Sequence, residues 1–217
     1  SAIRKEKYVF LVEGYMDVIV CAQFGIANVV ACMGTALTID QISLIKRLTN
    51  KVVLMFDNDD AGQASMFKSI QLLLQQDIDV SVLDLKLGDP ADFLLQKGRE
   101  EFDLAFKQTV SAFEFTFKFI KKGFDLTNIQ QVTQCVKQLL PYFATINDAI
   151  LKKHYIKMVC SELKIDEEIL VANVDKFVYN GSQISQVKLQ NKDAATTKLQ
   201  KAENFIISAI SSDLDLR

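Results

Sequence analysis

Tyr8-Val9-Phe10-Leu11-Val12-Glu13-Gly14-Tyr15-Met16-Asp17-Val18 decides how this chain is read. Tyr8–Val12 is an unbroken apolar run, the pattern of a strand buried on both faces in a parallel sheet. An acid and a glycine then break it, and helical spacing resumes over Met16–Phe24. The same grammar recurs once: the strand reading Lys51–Phe56, then Asp57-Asn58-Asp59-Asp60-Ala61-Gly62, then a helix from Gly62 to Gln75. In open α/β sheets ligands bind outside the carboxyl ends of the strands. Carboxylates delivered to that edge from two strands predict a Mg²⁺ or Mn²⁺ site, and with it phosphate chemistry.

Working outward, Ala27–Ala31 and Val80–Leu85 read as further strands. Thr38–Leu48 reads as a helix with Thr38 as N-cap and Gln41 at the capping-box position. Alternating strands and helices predict an α/β domain over residues 1–100, a mostly parallel sheet flanked by helices. After Lys97 the strand pattern disappears. Phe102–Phe106, Phe113–Ile120, Ile129–Leu140, Ile150–Leu163 and Glu167–Val178 all carry helical spacing, so 101–180 is expected to be an all-α helical bundle. Phe113, Phe115, Phe117 and Phe119 alternate, which also suits a strand; the helical patterns on both sides favour helix. Residues 181–197 are polar and read as a linker. Residues 198–217 place Leu199, Ala202, Phe205, Ile206, Ala209 and Ile210 at amphipathic spacing, the start of a further helical domain. The chain begins at Ser1 and stops soon after this pattern starts, so both ends read as cuts within a longer protein.

Composition bounds the chemistry. A chain of 217 residues, 49% hydrophobic, supports a large core. Its net charge of −2 offers no global attraction to nucleic acid, so a basic surface, if the function needs one, must be local or lie on a missing segment. Cys21, Cys32, Cys135 and Cys160 have no metal-ligand spacing and read as buried free thiols of a reducing, cytoplasmic compartment. His154 is the sole histidine and reads as a helix surface residue, which excludes a multi-histidine zinc site. No apolar run reaches the roughly 20 residues that span a bilayer. The absence of a GKS or GKT sequence disfavours P-loop chemistry.

Taken singly, the acids have bland readings. Asp57-Asn58-Asp59 suits a solvated turn, Asp89-Pro90 a turn or N-cap, and Glu13 a surface position. Taken together, all follow strands of one sheet. Asp17 lies one helical turn beyond Glu13 and can face back toward it, and Asp89 and Asp92 follow the strand Val80–Leu85. Gly34-Thr35-Ala36-Leu37-Thr38 reads equally as a phosphate-binding turn or a plain turn with its cap.

At these residues the chain resembles the Toprim domain, shared by primases, type IA and II topoisomerases and some nucleases. The closer resemblance is to bacterial DnaG-type primases. It is carried by Leu11 to Val18, Gly34 to Thr38, Phe56 to Gly62 and Gly88-Asp89-Pro90. The resemblance implies a Toprim-type sheet and a metal-dependent nucleotidyltransferase that makes short RNA primers on single-stranded DNA. Glu13, Asp57 and Asp59 would be catalytic. Glu13, Asp17, Asp57, Asp59 and Asp89 would hold two or more Mg²⁺ or Mn²⁺ ions. Gly14, Gly34 and Thr35 would approach the nucleotide phosphates. Ala91 stands where the family often has the second acid of Asp-Pro-Asp, leaving Asp92 a substitute of lower rank. The implied partners are ribonucleoside triphosphates, a single-stranded DNA template, the RNA–DNA hybrid product and, through the C-terminal region, the replicative helicase. Lys201 to Ile207 resembles the first helix of a helicase-binding domain. No zinc ligands or membrane partner are implied. The family's zinc module and the basic, template-gripping half of its polymerase domain have no counterpart in these residues, so the chain alone is expected to prime weakly or not at all. A Toprim nuclease, a topoisomerase fragment and a non-catalytic replisome docking module are the alternatives. The five tyrosines carry no recognisable context for a topoisomerase nucleophile.

Overall fold

The computed structural model describes residues 1–33, 37–57, 60–85 and 88–179. Within them a five-stranded sheet has the order β2-β1-β3-β4-β5. The strands are β1 (Val9–Val12), β2 (Val29–Ala31), β3 (Lys51–Leu54), β4 (Asp79–Val82) and β5 (Val110–Ser111). β1 pairs in parallel with β2 and β3, and β3 with β4; β5 closes the far edge antiparallel to β4, with Val82 opposite Val110. The chain leaves β1 to one side for β2 and returns to the other side for β3. The carboxyl ends of β1 and β3 therefore flank the point where winding reverses, the place such sheets open a crevice.

Helices α1 (Ala2–Glu6), α2 (Tyr15–Gln23), α3 (Ile39–Lys46), α4 (Asp60–Gln75) and α5 (Pro90–Phe106) surround the sheet. Successive residues of a strand point to opposite faces. Phe10, Val12, Val53 and Met55 enter one buried cluster with Val20 and Cys21 of α2 and Leu94 and Phe102 of α5. Leu11 and Leu54 are equally buried on the other face. With both faces covered, the continuous apolar runs in the sequence are accounted for.

Beyond the sheet come α6 (Ala112–Lys122), α7 (Ile129–Thr145) and α8 (Ala149–Leu163). The alternating phenylalanines are helical, and the helix sorts them into two i,i+4 pairs. Phe113 and Phe117 turn inward, and the Phe113 ring lies 4.3 Å from Tyr155 and 4.7 Å from Phe143 between centroids. Phe115 and Phe119 turn the other way, toward Phe67 of α4 at 6.1 and 4.8 Å. Ser1–Leu170 form one compact unit and Val171–Arg217 a second, of which 171–179 are described and helical. The expected linker 181–197 and the helix 198–217 lie outside the described residues.

Three local expectations change. The strand pattern does not vanish after Lys97: Val110–Ser111 pairs with β4, but two residues are too few to leave a period. The helix expected at Phe102–Phe106 starts at Pro90 instead, because Asp89 caps it, accepting the Asp92 N–H at 2.6 Å, and Pro90 pre-sets its first turn. Gly98, at φ 80°, kinks that helix midway. Finally, the short α1 precedes β1, a helix for which the sequence reading has no counterpart.

Candidate metal and nucleotide site

Three sequence motifs meet at the carboxyl edge of the sheet, and carboxylate–backbone hydrogen bonds join them. Glu13, the first residue beyond β1, is half-buried, and its Oε1 accepts the Asp57 N–H at 3.2 Å. This bond crosses the β1/β3 switch point and draws the two acidic turns together. Asp57 follows the end of β3, whose ladder is extended by the Met55 N–H donating to the Leu11 carbonyl at 2.9 Å.

Gly62, in the first turn of α4, closes the same corner. A Cβ there would lie 2.4 Å from the Asp57 carbonyl oxygen and 2.7 Å from Glu13 Oε1. Only a residue without a side chain lets α4 approach both acids. The sequence carries a signal for this: glycine in a helical pattern is disfavoured by about 1 kcal/mol relative to alanine and marks a close approach.

Asp17 joins the first motif to the third. It is 5% exposed. Its Oδ2 accepts the Gly14 N–H at 3.1 Å and its Oδ1 accepts the Ala91 N–H at 3.3 Å. One carboxylate thus ties the start of α2 to the start of α5. Burial raises its pKa above the ordinary carboxylate value, with the negative charges of Asp89 and Asp92 adding to the rise and the Gly14 and Ala91 N–H groups opposing it. The N–H of Gly14, a residue the resemblance sets near the nucleotide phosphates, is engaged by Asp17. Asp89 is the N-cap of α5, and Asp92 is exposed one turn later. Asp59, Gly34 and Thr35 lie outside the described residues.

Cys32 follows β2 on this edge, and burial, then the neighbouring Glu13 carboxylate, push its thiol up to about 11. All four cysteines are buried free thiols. His154 lies exposed on α8, away from the acids. Among the described residues no three acid, histidine or cysteine side chains form a metal cluster. Glu13, whose carboxylate meets the Asp57 backbone, and Asp57 itself carry hard carboxylate oxygens, which match Mg²⁺ or Mn²⁺ rather than zinc or copper. Among the described residues no helix is long and apolar enough to cross a membrane.

Comparison with known proteins bears on the family of the chain. A family described as Toprim-like matches residues 10–94, and one described as the DnaB-helicase binding domain of primase matches residues 113–168. The second match falls on α6, α7 and α8, whereas the sequence resemblance set a helicase-binding helix at 198–217. The DNA primase of Listeria monocytogenes is 33% identical over 195 residues, 88% of this chain and 31% of that protein. The DNA primase of Aquifex aeolicus is 32% identical over 192 residues, 88% of this chain and 36% of that protein.

Among solved structures, the Aquifex aeolicus primase (zinc binding and RNA polymerase domains) aligns with a TM-score of 0.63 at 30% identity, covering 79% of this chain and 41% of that one. A DnaG primase catalytic domain bound to ssDNA aligns with a TM-score of 0.67 at 27% identity, covering 75% of this chain and 53% of that one. The parallel sheet with acids at its switch point is a Toprim-like domain, here followed by helices as in the solved catalytic cores. The chain belongs to the bacterial DnaG-type DNA primase family. It spans about a third of the length of the curated relatives it matches.

Proposed function

We propose that this chain supplies the metal- and nucleotide-binding part of a primase that synthesises short RNA primers on single-stranded DNA. The observation that carries the reading is the Glu13–Asp57 bond across the switch point, with Gly62 pressed against both residues. Glu13, Asp57 and Asp59 would hold two or more Mg²⁺ or Mn²⁺ ions, with Asp17 and Asp89 adding negative charge at the same edge. Bound there, such ions neutralise triphosphate charge and lower the pKa of the attacking hydroxyl.

The chain's own residues do the positioning. Asp57 donates its backbone N–H to Glu13 and so holds that carboxylate toward the β3 turn. Asp17 fixes the β1 turn against α5, which keeps the acidic edge from opening. Gly62 brings the start of α4 within contact of both acids. A ribonucleoside triphosphate is the substrate this edge suits, with a single-stranded DNA template and an RNA–DNA product beside it. Helices α7 and α8 would contribute the helicase contact, in line with the family match at 113–168. A replication enzyme of this kind works in the cytoplasm.

The test is calorimetric titration of Mn²⁺, alone and with a ribonucleoside triphosphate, into this chain and its Asp57→Asn and Glu13→Gln variants. The parent is expected to bind, and Asp57→Asn to weaken binding at least about tenfold. Equal affinity in parent and Asp57→Asn would remove Asp57 from the site and sink the reading.

A further inference from the structure

Helix α6 presents a second face that the metal site does not use. Phe115, Lys118, Phe119 and Lys122 stand at i, i+3, i+4 and i+7, one stripe of the helix. The stripe lines a cavity of about 610 Å³ together with Gln63 of α4 and Asp84, which follows β4. That volume lies within the range of small-ligand sites and is ample for a nucleotide unit. Gln63 lies in the first turn of α4 and Val82 ends β4, so the cavity sits at the carboxyl edge of the sheet.

The charges are apportioned unequally. Lys121 is engaged: its Nζ lies 2.6 Å from Glu162 Oε2 and 5.4 Å from the Phe117 ring centroid. Lys118 and Lys122 are exposed and make no ion pair among the described residues. Phe119 is 39% exposed, its ring against Phe67. Asp84 is the one acid among the described lining residues, and it opposes a phosphate on its own side.

We infer that this groove binds single-stranded nucleic acid, with phosphates on Lys118 and Lys122 and bases against Phe115 and Phe119. The inference rests on the phosphoryl-transfer reading above and extends it to the path of a strand leaving the site. A cationic groove interleaved with aromatic rings is the chemistry that tracks a single strand. A protein interface core is instead depleted of lysine. In a chain of net charge −2, two exposed lysines on an aromatic stripe form a local patch of the required sign.

The experiment is fluorescence anisotropy with labelled oligo(dT) and oligo(rU) of about 12 nucleotides. The proteins are this chain, Lys118→Glu/Lys122→Glu, the charge-neutral Lys118→Gln/Lys122→Gln, and Phe119→Ala. Losing two phosphate contacts flattens the slope of log affinity against log salt by about 1.4, or about 25-fold in affinity per decade of salt. Phe119→Ala weakens binding by about 5- to 150-fold, the range for one lost base stack. The glutamine pair, which cannot repel, gives the same slope change if the lysines contact phosphate. Tighter DNA binding marks a template path and tighter RNA binding a product path.

Unchanged oligonucleotide affinity and salt slope in both lysine variants overturns the inference, as does a parent that binds neither oligonucleotide. Loss of binding to a DnaB helicase with no change for either oligonucleotide reassigns the groove to a protein partner. Mn²⁺ affinity is measured in parallel and stays constant across these variants. Lysine-dependent strand binding with no Mn²⁺ binding would keep the groove and defeat the metal reading instead.

Discussion

Replacing Gly62 with alanine tests the acidic corner most directly, because the insult is one methyl group at a measured place. The new Cβ would stand 2.4 Å from the Asp57 carbonyl oxygen, 3.0 Å from the Asp57 carbonyl carbon and 2.7 Å from Glu13 Oε1. Ordinary contacts to carbon lie near 3.5–4.0 Å, so backbone has to move by about an ångström. Two of the three opposing atoms are main chain, which a rotamer change cannot relieve. Overpacking of this kind costs about 1–3 kcal/mol. Alanine returns up to about 1 kcal/mol of helix propensity in α4. The balance is a destabilisation of about 1–2 kcal/mol, which lowers Tm by about 2–8 °C in a chain of this size.

The functional effect should exceed the stability effect. The displaced atoms are the Asp57 backbone and the Glu13 carboxylate, the pair whose 3.2 Å bond holds the corner together. Urea unfolding of parent and Gly62→Ala gives the stability difference, and Mn²⁺ titration of both proteins at a temperature where each is folded gives the site effect. A fall of at least about tenfold in Mn²⁺ affinity is expected. An alanine variant as stable as the parent, or more so, with undiminished Mn²⁺ affinity would show that α4 does not press on the acids, and the close-approach reasoning would fail.

Asp17→Ala leaves the half-buried Gly14 N–H and the buried Ala91 N–H without their acceptor and should cost about 2–4 kcal/mol in urea unfolding; a loss under about 0.5 kcal/mol would mean the brace is idle. Phe113→Ala empties the centre of the α6–α7–α8 packing and should destabilise by about 3–5 kcal/mol, whereas Phe115→Ala, half-exposed on the other stripe, should cost far less. The thiols should not react with an aromatic disulfide reagent at pH 8 until the chain is unfolded, since burial pushes Cys21 up to about 12 and Cys32 up to about 11. Their folded pKa values lie above the ordinary 9.0. The stability they contribute is therefore fully present below pH 9 and is lost as pH rises through 11 to 12. Cys32→Ala should flatten that alkaline loss relative to the parent, and an unchanged alkaline limb would refute the assignment.

Features set by near neighbours along the chain are legible in the amino-acid order itself. The Thr38 cap is one: the Gln41 N–H donates to Thr38 Oγ1 at 3.2 Å and the Thr38 N–H to Gln41 Oε1 at 2.9 Å, as the spacing requires. The buried strands β1 and β3, the break into acids after each, and the helices α7 and α8 are others, since apolar periodicity encodes them within a few residues. The alternating phenylalanines are ambiguous in sequence, because a period of two suits a strand, and a helix with paired i,i+4 contacts accommodates them as well.

The site itself is legible as a list of acids but not as an arrangement. Glu13 meets the Asp57 N–H across 44 residues, and Asp17 meets the Ala91 N–H across 74. Asp17 reads from sequence as a carboxylate facing Glu13; its bond to the Gly14 N–H is a local helix cap, and only the packing of α2 on α5 brings the Ala91 N–H to its other oxygen. The lysine and phenylalanine stripe of α6 becomes a groove only when α4 and the end of β4 come up against it. Local spacing determines which residues sit at strand ends and helix starts, because those signals rest on contacts within one turn. Strand order decides which ends become neighbours, because a parallel sheet is joined by crossovers whose side and register no short-range pattern specifies.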